Sequence, residues 1–144
     1  MIEINGMEFP IDRKYYTKNG AHIWLSVEGD IVKIGMDAFA TEMTGLLTFL
    51  TITSKEVKCG EAIGSFESAK FVSRLFSPID GKIVDINEVA MKNPRMVNEK
   101  PYDSWLVAIK PDNLEDSLKS EFIIETEEEI SSWIQEEMKR LEEE

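Results

Sequence analysis

The segment Phe66-Glu67-Ser68-Ala69-Lys70-Phe71-Val72-Ser73 places one lysine at the expected tip of a hairpin, with strand-forming residues on both sides. Upstream, Glu61 to Phe66 alternates loosely between polar and apolar residues, and downstream Phe71 to Phe76 is rich in β-formers. Most exposed turn lysines are simply solvated, so the weight of this one rests on its surroundings. Other chemistry is sparse. The chain has one histidine, His22, and one cysteine, Cys59, with no Ser-His-Asp set and no glycine-rich phosphate loop. His22 beside Trp24 reads as a packed structural residue, and the carboxylates read as solvated faces with no paired acid/base site. Cys59 has no cysteine or histidine neighbour at metal-ligand spacing and reads as an inert turn residue in Lys58-Cys59-Gly60.

At 144 residues the chain fits one domain with a real core. No apolar run approaches the roughly 18 residues of a membrane span. Met1 to Gly6 shows neither a basic segment nor an apolar core, so no export signal is read there and a cytoplasmic address is expected. The net charge of −12 repels phosphate backbones and anionic membranes, which disfavours both as partners and favours a basic protein surface. Much of the charge lies at one end: residues 121 to 144 hold ten Glu against Lys139 and Arg140.

The elements that must position Lys70 are short. Ile2-Glu3-Ile4 and Met7-Glu8-Phe9 flank Asn5-Gly6, the strongest short hairpin signal available. Ile23 to Val27 is a strand, and Glu28-Gly29-Asp30 turns it into Ile31 to Ile34. Asp37 to Met43 is expected to make a small helix stopped at Gly45, after which Leu46 to Ile52 resumes the β pattern. Pro78-Ile79-Asp80-Gly81 is a tight turn whose glycine supplies backbone freedom, leading into Lys82 to Ile86, which alternates cleanly. Asn93-Pro94 breaks a short helix and opens an irregular loop through Pro101, and Trp105 to Ile109 closes the β part. Many short strands in one small domain point to a sandwich or barrel. Thr126 and Glu129 have capping-box spacing, and Ile130, Trp133, Ile134, Met138 and Leu141 share one helical face. Residues 126–144 are therefore an acidic amphipathic helix, expected to pack on or extend the domain of residues 1–125 with its Glu-rich face in solvent.

Several segments then fall into line. His22-Ile23-Trp24 follows Tyr16-Thr17, and Glu67-Ser68-Ala69-Lys70 is followed by Ser77 to Asn87, Asn93-Pro94, Val97-Asn98-Glu99, Pro101-Tyr102, Trp105-Leu106 and Ile109-Lys110-Pro111. Over about residues 15 to 125 this succession closely resembles the H proteins of the glycine cleavage system. The resemblance implies a mainly β fold, a flattened barrel/sandwich hybrid of two small antiparallel sheets, lipoyl-domain-like, with a short internal helix and a C-terminal helix. It also implies a carrier without catalytic residues, with lipoate attached to Lys70 by a lipoyl transferase or ligase and Glu67 and Ser68 serving the hairpin or its recognition. The implied cargo is an aminomethyl group, taken from glycine decarboxylase to aminomethyltransferase, with dihydrolipoyl dehydrogenase as a further partner. Biotin carriers share this kind of scaffold but usually hold the lysine between two methionines. Here Ala69 and Phe71 flank it, which favours lipoyl.

The resemblance also implies a polar cleft that shelters the loaded arm, and here three positions depart from it. Ile23 stands where the family has a glutamate, Met43 where it has a histidine, and Arg74 where it has an acidic residue. Isoleucine accepts no hydrogen bond, and arginine repels a cationic amine. These departures leave Lys70 intact and keep two other readings open. One is an H-like lipoate-binding protein that carries sulfur for a heterodisulfide-reductase-like complex, or relays lipoyl groups. The other is an unmodified interaction module.

Overall fold

Asn5 and Gly6 both take positive φ, 50° and 81°, the pair of left-handed residues that a two-residue hairpin turn needs. They join β1 (Ile2–Ile4) to β2 (Met7–Phe9) in the expected hairpin. This is a computed structural model that describes residues 1–143; Glu144, the last residue of the expected helical segment, lies outside them. The chain continues through β3 (Lys14–Tyr16), β4 (Ile23–Glu28) and β5 (Ile31–Met36) to α1 (Ala38–Thr44). Asp37 caps α1 by accepting from Ala40 N–H, and Gly45 ends it, as expected. Next come β6 (Leu47–Ile52), β7 (Glu56–Val57), β8 (Ala62–Ser68), β9 (Val72–Phe76) and β10 (Gly81–Ile86). The remainder is α2 (Glu88–Lys92), α3 (Arg95–Glu99), β11 (Val107–Pro111), α4 (Leu114–Ser117), β12 (Ile123–Ile124) and α5 (Glu127–Glu142).

The mainly β architecture is present. A curled seven-stranded sheet runs in the order β12-β3-β4-β5-β11-β10-β7, and a three-stranded sheet, β6-β8-β9, carries the lysine hairpin. Alternate side chains of β3 and β4 point to opposite faces, and both faces are covered. Tyr16, Ile23 and Leu25 enter the core between the sheets, while Tyr15 and Trp24 enter a second core with Phe9, Phe39, Ile130 and Ile134. Double coverage is why Ile23-Trp24-Leu25 is continuously apolar in sequence.

Helix α5 seals the second core. Its start is the expected capping box, with Thr126 accepting from Glu129 N–H and the Glu129 carboxylate accepting from Thr126 N–H. Ile130 and Ile134 are fully buried, each worth about 1.5–3 kcal/mol, and Trp133 and Met138 pack against the same cluster. Two expectations for this helix need correction. Leu141 remains 40% exposed, and Glu137, from the supposedly solvated acidic face, is buried.

Three further expectations are overturned. The loop after Asn93-Pro94 is helix α3, because Pro94 itself sits at helical φ/ψ (−58°, −25°), where its missing N–H has no partner to lose. The clean alternation of β10 is interrupted by a bulge between Ile83 and Asp85, which leaves Val84 54% exposed. Gly81 is needed for room and not for backbone freedom. A Cβ there would meet Lys110 O at 2.3 Å and Ile109 Cγ2 at 2.9 Å, so only glycine lets β10 approach β11.

Candidate functional site

Lys70 lies in the turn between β8 and β9, exposed, and among the described residues its side chain forms no ion pair or hydrogen bond. The turn beneath it is firmly held. Ser68 N–H donates to Phe71 O at 2.9 Å, and Ser68 Oγ accepts from the backbone N–H groups of Lys70 and Phe71, each at 3.2 Å. The same hydroxyl donates to Thr44 O at 2.6 Å, tying the hairpin tip to the end of α1. Ser68 is thus a positioning residue whose bonds reach the backbone and leave the amine free. Glu67 lies one position further down β8, half-buried in register with Phe49 and Val72, and forms no ion pair among the described residues.

The strand beside the hairpin tip is fixed by Asn98 of α3, at Leu47, which pairs with Ser68. Its Oδ1 accepts from Leu47 N–H at 2.8 Å, and its Nδ2 donates to Gly45 O at 2.8 Å and Thr41 O at 3.4 Å. One amide therefore satisfies groups on both sides of the α1–β6 junction. Asn87 does similar service, capping α2 while donating to Trp105 O at 2.8 Å. These asparagines belong to the motif string that carries the family resemblance, and here their visible work is structural.

Beside the hairpin opens a cleft of about 350 Å³ between α1, β9 and the start of β4. Ile23, Met43 and Arg74, the three positions that depart from the polar cleft the resemblance implies, all line it. Ile23 is buried, Met43 is partly exposed, and Arg74 is exposed without an ion pair among the described residues. Phe71 and Val72, 53% and 75% exposed, form the rim next to Lys70.

At the back of the cleft His22 is buried and stacked between Phe39 and Trp133, each ring centroid 4.3 Å away. Its Nδ1 meets Asp37 Oδ2 at 3.0 Å and its Nε2 meets Glu137 Oε1 at 2.9 Å. Burial pushes its pKa down, but the Asp37 charge and the hydrogen bonds to Asp37 and Glu137 outweigh this and raise it to about 9. Glu137 is held below the usual carboxylate range, first by its hydrogen bond from His22. Arg140 pairs with the other Glu137 oxygen. The structural role expected of His22 takes a specific form: a charged pin fastening α5 to the N-cap of α1. Nothing local in the sequence singles out Glu137, because 115 positions separate it from His22 and it is one of ten glutamates in residues 121 to 144.

Comparison with known proteins identifies the family. The family model described as Glycine cleavage H-protein matches residues 13–137, reaching the glutamate that meets His22. A probable glycine cleavage system H protein 3 of Sulfurisphaera tokodaii is 39% identical over 113 residues, covering 77% of this chain and 82% of the relative. The glycine cleavage system H protein of Bacillus subtilis is 38% identical over 108 residues, covering 73% and 83%. The crystal structure of a glycine cleavage system H protein from Mycobacterium marinum superposes with a TM-score of 0.66 at 30% identity, over 76% of this chain and 96% of that one.

Proposed function

The chain belongs to the glycine cleavage H-protein family, and from that premise we propose that Lys70 is its lipoyl attachment site. Members of this family are lipoate-carrying components of a multienzyme system and not catalysts. The observation that carries the proposal is the exposed Lys70 amine, without a partner among the described residues, on a turn whose backbone is pinned by Ser68. A modifying enzyme reaches the amine without unfolding anything, and the braced three-stranded sheet holds it clear of the body. The residues present fit the group: an acylable amine at the tip, and beside it a largely apolar cleft large enough to receive a hydrocarbon arm. When attached, lipoate supplies a dithiolane on a flexible arm that takes up and hands on an aminomethyl group.

The family works with the other components of glycine cleavage; for this chain we assign glycine decarboxylase, aminomethyltransferase and dihydrolipoyl dehydrogenase as partners, and a lipoyl transferase or ligase as the modifying enzyme. The family match favours this reading over sulfur carriage for a heterodisulfide-reductase-like complex and over an unmodified module. A cytoplasmic address belongs to the same proposal. Among the described residues, no helix is long and apolar enough to cross a membrane.

Glu67, flanked in register by the exposed Phe49 and Val72, is assigned as the residue the modifying enzyme reads. Incubation with a lipoyl ligase, lipoate and ATP is expected to add the mass of one lipoyl group, localised to Lys70 by peptide mapping. Glu67→Ala is expected to slow that addition about tenfold, the equivalent of one charge-assisted contact, without altering the fold. Equal rates for the two proteins would remove Glu67 from the recognition surface.

A further inference from the structure

Asp and Glu number 28 in this chain of net charge −12, yet among the described residues none of the seventeen that line the cleft is acidic. Its walls are made largely by apolar side chains, among them Ile23, Met36, Phe39, Met43, Phe66 and Leu75. The charged lining residues are His22 and Arg74. His22 has both ring nitrogens engaged by Asp37 and Glu137, at 3.0 Å and 2.9 Å, so its charge is matched within the protein. Arg74 is exposed and has no ion-pair partner among the described residues, which leaves its charge for whatever enters.

We propose that the cleft receives the Lys70 arm when the end of that arm is neutral or anionic and turns away a cationic end, with Arg74 setting the preference. The inference rests on Lys70 being the attachment site. Phe71 and Val72 follow Lys70 directly and line the cleft, so the arm enters over its own neighbours. An ammonium entering here gives up hydration and finds no carboxylate to accept from it. A carboxylate in the same place gains a guanidinium partner, and an uncharged dithiolane gains apolar contact alone. The consequence is a division of states. The unloaded arm rests in the cleft, and an amine-loaded arm stands in solvent, open to the next enzyme and equally to water.

The test installs three ends of similar size on one arm. In Cys59→Ser protein, lipoylated at Lys70 and reduced, the arm thiols are alkylated with iodoacetate, iodoacetamide or 2-bromoethylamine. Each reaction forms one S–C bond per thiol, with loss of halide and the thiol proton. Methyl resonances of Ile23 and Met43 report cleft occupancy. The carboxymethyl and carbamidomethyl arms are expected to shift both resonances, and the aminoethyl arm to leave them as in protein without an arm. Arg74→Ala is expected to lower occupancy by the carboxymethyl arm about tenfold while sparing the carbamidomethyl arm. An aminoethyl arm that occupies the cleft as fully as the carboxymethyl arm, or an Arg74→Ala variant with unchanged preference, overturns the proposal. Absence of lipoate on Lys70 by intact mass would defeat the attachment-site reading separately. The cleft preference is then read on unmodified protein with free octanoate, octanamide and octylammonium, binding being expected to weaken in that order, and a reversed order overturns it.

Discussion

Replacing Lys70 with arginine is expected to abolish lipoylation, and all carrier activity with it, while changing folding stability by less than about 0.5 kcal/mol. Arginine keeps the positive charge and a long aliphatic stem but offers a guanidinium, which a ligase that forms an ordinary lysine amide does not acylate. The stability is spared because the Lys70 side chain has no partner among the described residues. What holds the turn is the backbone N–H of residue 70 donating to Ser68 Oγ, and arginine preserves that bond. Intact mass and chemical denaturation together check the expectation. A lipoyl mass retained on Lys70→Arg would place the attachment at another lysine, and a large loss of stability would mean that the side chain holds the hairpin after all.

The second large effect concerns the pin behind the cleft. His22→Leu is expected to cost about 3–5 kcal/mol, because Asp37 and Glu137 then remain buried without the cation between them. The wild-type protein should also show a specific pH dependence. The pKa of His22 rises from 6.5 to about 9 on folding, so its contribution is complete below about pH 6.5 and is lost as pH rises through about 9. The size is on the order of 3 kcal/mol for a shift of this kind, since one pKa unit corresponds to about 1.4 kcal/mol. The groups facing the ring are Asp37 from the α1 cap, Glu137 from α5, and the stacked Phe39 and Trp133; Arg140 reaches it only through Glu137. Urea unfolding at pH 6 and pH 10 should show the wild type weakening at high pH and His22→Leu nearly flat. A variant with wild-type stability and slope would show that the pin carries no energy.

The sequence made Lys70 legible because its signal is local: two β-forming runs, a short polar link and one amine at the tip. The same holds for Asn5-Gly6, for the Asp37 to Gly45 helix and for the Thr126–Glu129 capping box, each specified within a few residues. What was not legible is long-range or very short. Strands β3, β7 and β12 have three residues or two, too few to show a period, and exist because neighbouring strands supply the pairing. Pro94 read as a breaker because proline interrupts helix interiors, yet it opens α3, where the same ring is tolerated. Gly81 read as a turn residue, and its reason, the approach of β11, lies almost thirty positions away. At the site, the positions of Ile23, Met43 and Arg74 around one cleft followed from the family resemblance. The absence of acid among the described residues lining the cleft emerged only when the fold gathered that lining from separate elements.

The central claim is that this chain is a glycine-cleavage carrier working through Lys70, and loading by glycine decarboxylase tests it most directly. Lipoylated protein, lipoylated B. subtilis H protein as positive control, and Lys70→Arg would each be incubated with the decarboxylase and ¹³C-labelled glycine, and the arm followed by mass. The expected result is a labelled aminomethyl mass on the wild-type arm, transferable to aminomethyltransferase, and none on Lys70→Arg. A fully lipoylated wild-type protein that stays unlabelled while the control is loaded would contradict the account.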